Sequence, residues 1–470
     1  MSKPRTNTGW TFAIVSIALF MVVLDNLVVT NALPSIKREL GATIQQLEWT
    51  VNAYTLSYAV LLLTGAALGD RFGRRRMFSA GLALFTLASA AAAVAPSTSA
   101  LIAARAVQGV GAAIVTPLTL TILSEAVPQE KRGLAIGAWS GISGLAVALG
   151  PVVGGAVVTG ISWHWIFWLN VPIGAIAVPL AMIRLSESYG ESRRLDFAGL
   201  GLASVGLLGL VYGIVHASSA GWTAFTVLAP LSAGLVIIAA FVAWELRTPD
   251  PMLPMSFFKS RAFSATNGVS IAMYFGTFGS IFLLAQFFQV VQHYSALESG
   301  LRILPWTVMP IFVAPIAGAL SDRIGGRPLM AAGLALQGAG LAWLAAVTGP
   351  TVAYIHFVPG FVMAGTGMAL VFAPAANTVL GAVRPKQAGQ ASGATNAMRE
   401  LGGVLGVSVL ATVFSGSGSY LSGQDYVNGL VPAVTVGAAV LFAGALIALL
   451  VPGKRRAQAK ARACPEAATA

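Results

Sequence analysis

Cysteine is nearly absent: Cys464 is the only one in 470 residues, which excludes an intrachain disulfide and any thiolate cluster for a metal. Charge is scarce as well. Asp, Glu, Lys and Arg make up 9% of the chain against 56% hydrophobic residues, too little polar surface to clothe a soluble globule. The four histidines, His164, His216, His293 and His356, are scattered near the ends of apolar runs, so neither a metal site nor a catalytic dyad follows. No stretch gathers a nucleophile, a base and metal ligands. The chain is therefore not expected to be an enzyme or to carry a cofactor, and a membrane-embedded enzyme stands only as a remote alternative. Acidic residues are outnumbered 16 to 28 by basic ones, giving a net charge of +12. Nucleic-acid binders concentrate such an excess on a folded face, whereas here it lies in links between apolar runs, and no nucleic-acid partner is expected.

What is present is apolar length. A bilayer-crossing helix needs about 20 mostly apolar residues, and that window finds fourteen candidates, from 11–33 and 47–69 through 301–321 and 392–413 to 430–451. The first run is too long for a signal segment and has no small-residue cleavage pattern after it, so it reads as a retained span. Links on one side carry 23 of the 28 basic residues. By the positive-inside rule that side is cytoplasmic and holds both termini, and the expected location is the cell membrane.

The densest charge lies in the stretch "GAALGDRFGRRRMF", Gly65 to Phe78, between spans two and three. A second copy, "GALSDRIGGRP", Gly318 to Pro328, links spans ten and eleven, with Asp70 and Asp322 252 residues apart. Two homologous six-span units are implied, a repeat known from transporters. The expected division is residues 1–190 as a first six-helix bundle, 191–258 as an inserted two-helix pair with linkers, 259–452 as a second bundle, and 453–470 as a cytoplasmic tail.

The repeated "GxLxDRxGxR" pattern resembles the major facilitator superfamily. The second copy matches throughout; in the first, Ala66 stands where the leading glycine usually falls. "LDNLVVTNALP" (Leu24 to Pro34), "RAVQGVGAA" (Arg105 to Ala113) and "GPVVGG" (Gly150 to Gly155) resemble the signatures of fourteen-span drug:proton antiporters in spans one, four and five, with Ala146 replacing the leading glycine of the last. "WHWIFWLNVPIG" is also similar to that branch, although His164 stands where an arginine is more usual. The resemblance implies an all-α fold of two pseudo-symmetric six-helix bundles plus two inserted central helices. It also implies a conformational latch at Asp70, Arg71, Gly73, Arg74, Asp322 and Arg323. Gly150, Pro151, Gly154 and Gly155 would form the bent antiporter-motif helix, though glycines beside a proline also serve plain close packing.

A carboxylate at mid-helix costs about 2.5–3.5 kcal/mol to insert, so each one retained needs a reason. Asp25 lies about 21 Å into span one, and Arg105 about 9 Å into span four, which runs the other way. Both fall at a similar depth. The resemblance makes Asp25 the proton carrier and Arg105 the group that adjusts it; a structural ion pair is the alternative. Glu400 in span thirteen reads as a substrate contact, as a local partner of Arg399, or as a snorkelling side chain. Phe275, Phe278 and Phe282, followed by Gln286 and Gln289, form a stripe in span nine suited to helix or lipid contact, or to the wall of a site for flat cations. Asn52, Tyr54 and Tyr58 in span two are similar substrate-binding candidates.

The expected activity is proton-coupled export of hydrophobic, cationic drugs or toxic compounds by alternating access, carried out by a monomer whose partners are the substrate, protons and the bilayer. A dedicated exporter of one host-made metabolite or antibiotic is the alternative.

Overall fold

The computed structural model describes residues 8–42, 44–128, 131–190, 196–249 and 251–453. Among them there is no β-strand, and fourteen helical spans are long and apolar enough to cross a membrane. In lipid each backbone donor must be satisfied within its own segment, and that requirement turns these runs into helices.

The first half consists of α1 (Thr8–Leu40), α2 (Ile44–Phe72), α3 (Arg74–Ala93), α4 (Thr98–Ala126), α5 (Arg132–Gly160), the short α6 (His164–Trp168) and α7 (Asn170–Arg184). Next come α8 (Phe197–Ala220), α9 (Phe225–Glu245) and the short α10 (Ser256–Lys259). The second half is α11 (Arg261–Val290), α12 (Ala296–Thr307), α13 (Met309–Ile324), α14 (Gly326–Val347), α15 (Phe357–Gly381), α16 (Ala388–Ser417) and α17 (Gly423–Ala448). Two spans are interrupted where the sequence windows were continuous. Span six divides at Leu169 into α6 and α7, and span ten at Val308 into α12 and α13. Pro310 explains the second division, because proline fits the first turn of a new helix but not the interior of an old one.

The two "DRxG" turns are built alike. Gly73 (φ +104°) and Gly325 (φ +85°) end α2 and α13 and start α3 and α14 in a backbone region that suits glycine alone. Elsewhere the ends are capped by side chains: Ser97 accepts from the Ala100 amide, Asp196 from Gly199, and Ser295 forms a capping box with Glu298.

Within the first half, α2 and α3 pack on α4, and α1 on α5; within the second, α14 packs on α15 and α17, and α11 on α16. Small residues permit these approaches, as expected where lipid offers no hydrophobic drive between helices. The halves meet along two seams. On one, α5 runs against α12 and α13, with Gly144 at Pro310 and Gly155 at Leu297. On the other, α2 and α4 meet α16 at the arginine-rich end, and the first apolar core continues there through Ala388, Ala391, Ala394 and Ala397. The helix α8 lies in this second seam, bonded to α16 by the Ser408 hydroxyl, which donates to the Ile214 carbonyl at 2.9 Å. Its partner α9 exposes Phe225, Leu228, Leu235 and Val236 outward.

Candidate functional site

The most polar part of the interior is centred on Asp25. It is 1% exposed, near the middle of α1, and its carboxylate has three side-chain donors from two other helices. Arg105 donates to Oδ2 at 2.5 Å, while Gln108 and Asn170 donate to Oδ1 at 2.9 and 2.7 Å. Arg105 and Gln108 stand three residues apart on α4 and so share one helix face; Arg105 also bonds Gln108 at 2.8 Å and the Thr50 carbonyl at 3.3 Å. Ser89 on α3 ties the far side together, accepting from Gln108 and Asn170. The Arg105 guanidinium sits 4.2 Å from the Tyr54 ring, whose hydroxyl donates to the Val22 carbonyl. Sequence reasoning paired Asp25 with Arg105 but missed Gln108, Ser89 and Asn170. The signal for Gln108 was its i+3 spacing from Arg105 in "RAVQ", and for Asn170 its place in the apolar run "WLNVPIG".

Among the described residues no such cluster stands at the matching place in the second half. Displaced by the repeat interval, Asp25 corresponds to Thr277, which accepts from Gln337 at 2.7 Å in a neutral pair.

Tyr54 stacks on Tyr58 at 5.9 Å and lies within electrostatic range of both Asp25 and Glu400, so span two links this cluster to α16. Glu400 is half-buried, and no ion pair joins it to Arg399. Asn52 is half-buried on α2. The span-nine stripe divides in the structure. Phe275 is packed in the second core, its backbone against Gly406, whereas Phe278 and Phe282 are 37% and 43% exposed. Gln286 and Gln289 donate back to their own helix, and Gln286 also accepts from Tyr420.

At the arginine-rich end, Asp70 is buried against the start of α16: a Cβ at Gly389 would collide with its carboxylate, which accepts from the Gln390 amide. A helix N-terminus presents unpaired N–H groups and positive potential to such an anion. Arg74, fully buried, bonds Asp70 at 2.7 Å and pairs with Glu125. Asp322 makes the reciprocal contact with the start of α5, where a Cβ at Gly133 would lie 2.5 Å from both its oxygens. Residue 326 is glycine where Arg74 stands in the first copy, and Asn377 occupies the place of Glu125, 252 residues on. Asn377 donates directly to Asp322 at 2.9 Å, so an amide does the work of the arginine and glutamate. Ala66 replaces the motif's leading glycine without harm because Gly393 faces it. Arg71 and Arg323 are exposed, and Gly73 forms the turn.

In α5, Gly150 seats Leu27 of α1, with a Cβ there 2.7 Å from the leucine Cβ; Gly154 is buried and Gly155 faces Leu297. The side chain of Pro151 lies outside the described residues, as do Lys3, Arg5, Arg193, Arg194 and the tail from residue 454.

The family model "Major Facilitator Superfamily" matches residues 15–407. The "Multidrug resistance protein Stp" of Mycobacterium tuberculosis (strain CDC 1551 / Oshkosh) is 35% identical over 85% of this chain and 74% of its own length. The "Tetracenomycin C resistance and export protein" of Streptomyces glaucescens is 33% identical over 86% of this chain and 76% of its own. Among solved structures, the proton:xylose symporter XylE superposes with a TM-score of 0.68 at 13% identity, covering 95% of this chain and 96% of that one, a likeness of fold. A match across most of the chain, relatives named for resistance and export, and fourteen apolar helices agree: the chain belongs to the Major Facilitator Superfamily and is a multi-pass membrane transporter, not an enzyme.

Proposed function

We propose that this transporter exports hydrophobic, cationic small molecules across the cytoplasmic membrane in exchange for protons, with both termini and the arginine-rich end on the cytoplasmic side. The observation that carries this reading is the buried cluster in which Asp25 meets Arg105, Gln108 and Asn170. Three donors from α4 and α7 meet on this one carboxylate, so its surroundings change whenever those helices move against α1. Helix movement between the two access states would supply such a change, linking proton exchange to conformation as a coupling between sites requires.

In the cycle, a deprotonated inward-open state takes up the drug. The six-helix units 1–190 and 259–452 rock about the pair inserted between them, and protonation from outside favours release. Asp70 and Asp322, each against the first turn of a helix from the opposite half, act as the latch of the outward-facing state, with Arg71, Arg74, Arg323 and the Gly73 turn. Gly150, Pro151, Gly154 and Gly155 let α5 hold its neighbours through the rocking movement. The chain acts as a monomer.

The test is purified protein in vesicles with a fluorescent lipophilic cation. Uphill dye movement only when protons run the other way supports antiport; movement indifferent to the gradient refutes it. Glu400, half-buried and within electrostatic range of Tyr58, would meet the cationic group, with Asn52 on the same span as Tyr58. Glu400→Gln is expected to raise the half-saturating concentration of a cationic dye about tenfold while leaving that of a neutral dye unchanged, since one desolvated charge contact is worth roughly 1.4 kcal/mol or more. Equal effects on both dyes would remove Glu400 from the site.

The relatives favour a second reading, because the protein from Streptomyces glaucescens is named for resistance to and export of a single compound. Transport of one compound, with a panel of unrelated cations ignored, would identify a dedicated exporter.

A further inference from the structure

Arg399 lies in the middle of α16, 1% exposed, and none of its three guanidinium nitrogens has a hydrogen-bond partner. Glu400, its neighbour in sequence, lies within electrostatic range but makes no hydrogen-bonded ion pair with it, and the Asp25 charge is taken by Arg105. Two rings lie against it, Phe372 at 4.6 Å and Tyr274 at 5.9 Å. A buried guanidinium whose N–H groups are all unpaired is a costly arrangement for a protein to retain, and ring faces and a carboxylate at a distance offset only part of that cost. Arg105 shows what the same fold does with an arginine that finds its partners within the chain, surrounding it with a carboxylate, an amide and a carbonyl.

Two more buried polar groups near Arg399 lack partners. One turn earlier on α16, Thr395 has a buried hydroxyl with no partner, and Trp139 of α5, 6.3 Å from the same Phe372 ring, has a buried, unpartnered indole N–H. Trp139, Phe372, Tyr274 and Phe278 follow one another at ring distances of 5.2 to 6.3 Å and bring flat faces from α5, α15 and α11 to this point. Flat surfaces beside an unsatisfied planar fork describe a partner that is itself flat and carries an acidic group.

We propose that Arg399 receives the acidic group of the exported compound, a carboxylate or an ionised enol or phenol on a planar aromatic frame, while Glu400 meets a basic group on the same molecule. The substrate class is then amphoteric aromatic, not simply cationic. This rests on the export reading and names the compound that the same site takes. Arginine suits the task because its fork donates two parallel N–H bonds to a carboxylate, which a lysine cannot do.

The experiment uses the full chain in detergent and two probes, a cationic xanthene dye bearing a free carboxylate and the methyl ester of that dye, with binding read by fluorescence anisotropy. Wild type is expected to bind the free acid at least about tenfold more tightly than the ester. Arg399→Gln should abolish that preference while leaving ester affinity unchanged, which also shows that the variant is folded, and Arg399→Lys should retain part of it. Equal binding of acid and ester by wild type, or an equal loss for both probes in Arg399→Gln, overturns the proposal. Gradient-driven transport of the ester with no preference for the acid overturns it while export stands; binding and transport of neither probe overturns both.

Discussion

Asp25→Asn is expected to abolish uphill transport driven by a proton gradient, by at least about a hundredfold, while exchange of labelled for unlabelled dye without a gradient stays within a few fold. The amide can still accept from one neighbour through its oxygen, but its NH2 group turns donors toward Arg105, Gln108 or Asn170, all of which donate to the acid in the native chain. A step that needs a proton to be gained and lost is then missing, whereas the rocking movement is not. Loss of the negative charge also leaves Arg105 buried without its ion partner, a defect that costs about 3–5 kcal/mol when one member of a buried pair is removed. The exchange assay separates the two effects. Exchange lost in step with uphill transport marks Asp25 as structural, and uphill transport that survives removes it from coupling.

How far the sequence revealed this arrangement depends on range. Helix number was legible because the bilayer imposes a length on every span, and depth could be estimated by counting residues at 1.5 Å each, which placed Asp25 and Arg105 at one level. What counting could not give was azimuth. Whether Asp25 faces Gln108 and Asn170, or Arg399 faces Phe372 and Tyr274, depends on how six or seven helices are rotated about their axes, and the hydrophobic all-round composition of these spans carries little rotational signal. The divisions at Leu169 and Val308 were hidden for a related reason: apolar composition continues straight across both. The "DRxG" turns were the opposite case. A positive-φ glycine and an aspartate one turn earlier form a local device, and its partner, the first turn of a helix from the opposite half, is a generic feature of any helix. What remained illegible there was the exchange of Arg74 and Glu125 for Gly326 and Asn377, since each pair makes sense only once the third member, the aspartate, is seen between them.

Closure of the arginine-rich end depends on backbones touching, and Gly318→Leu is expected to prevent it. At this crossing of α13 and α5, even a Cβ on Gly318 would collide with the Gly133 carbonyl oxygen, and one turn along a Cβ on Gly137 would meet the Ala314 carbonyl. Backbone cannot yield as a flexible side chain does, so the helices must separate until the new atoms reach ordinary contact at about 3.5–4 Å. The separation is felt across the interface, because Asp70 and Asp322 lose their places against the starts of α16 and α5 together. A cysteine pair reads this out on the far seam. Ala66 and Gly393 face each other, and a Cβ added at Gly393 would lie 2.7 Å from that of Ala66, close enough for Ala66→Cys with Gly393→Cys to cross-link after a small outward shift, once Cys464 is replaced by serine. In the otherwise native chain the cross-link should form readily and stop transport until reduced. Adding Gly318→Leu should slow its formation at least about fivefold and lower transport about tenfold, since a state in which this end cannot close is one half of the cycle removed. Unchanged cross-linking would mean that the two seams move independently, and the latch would then belong to each seam alone.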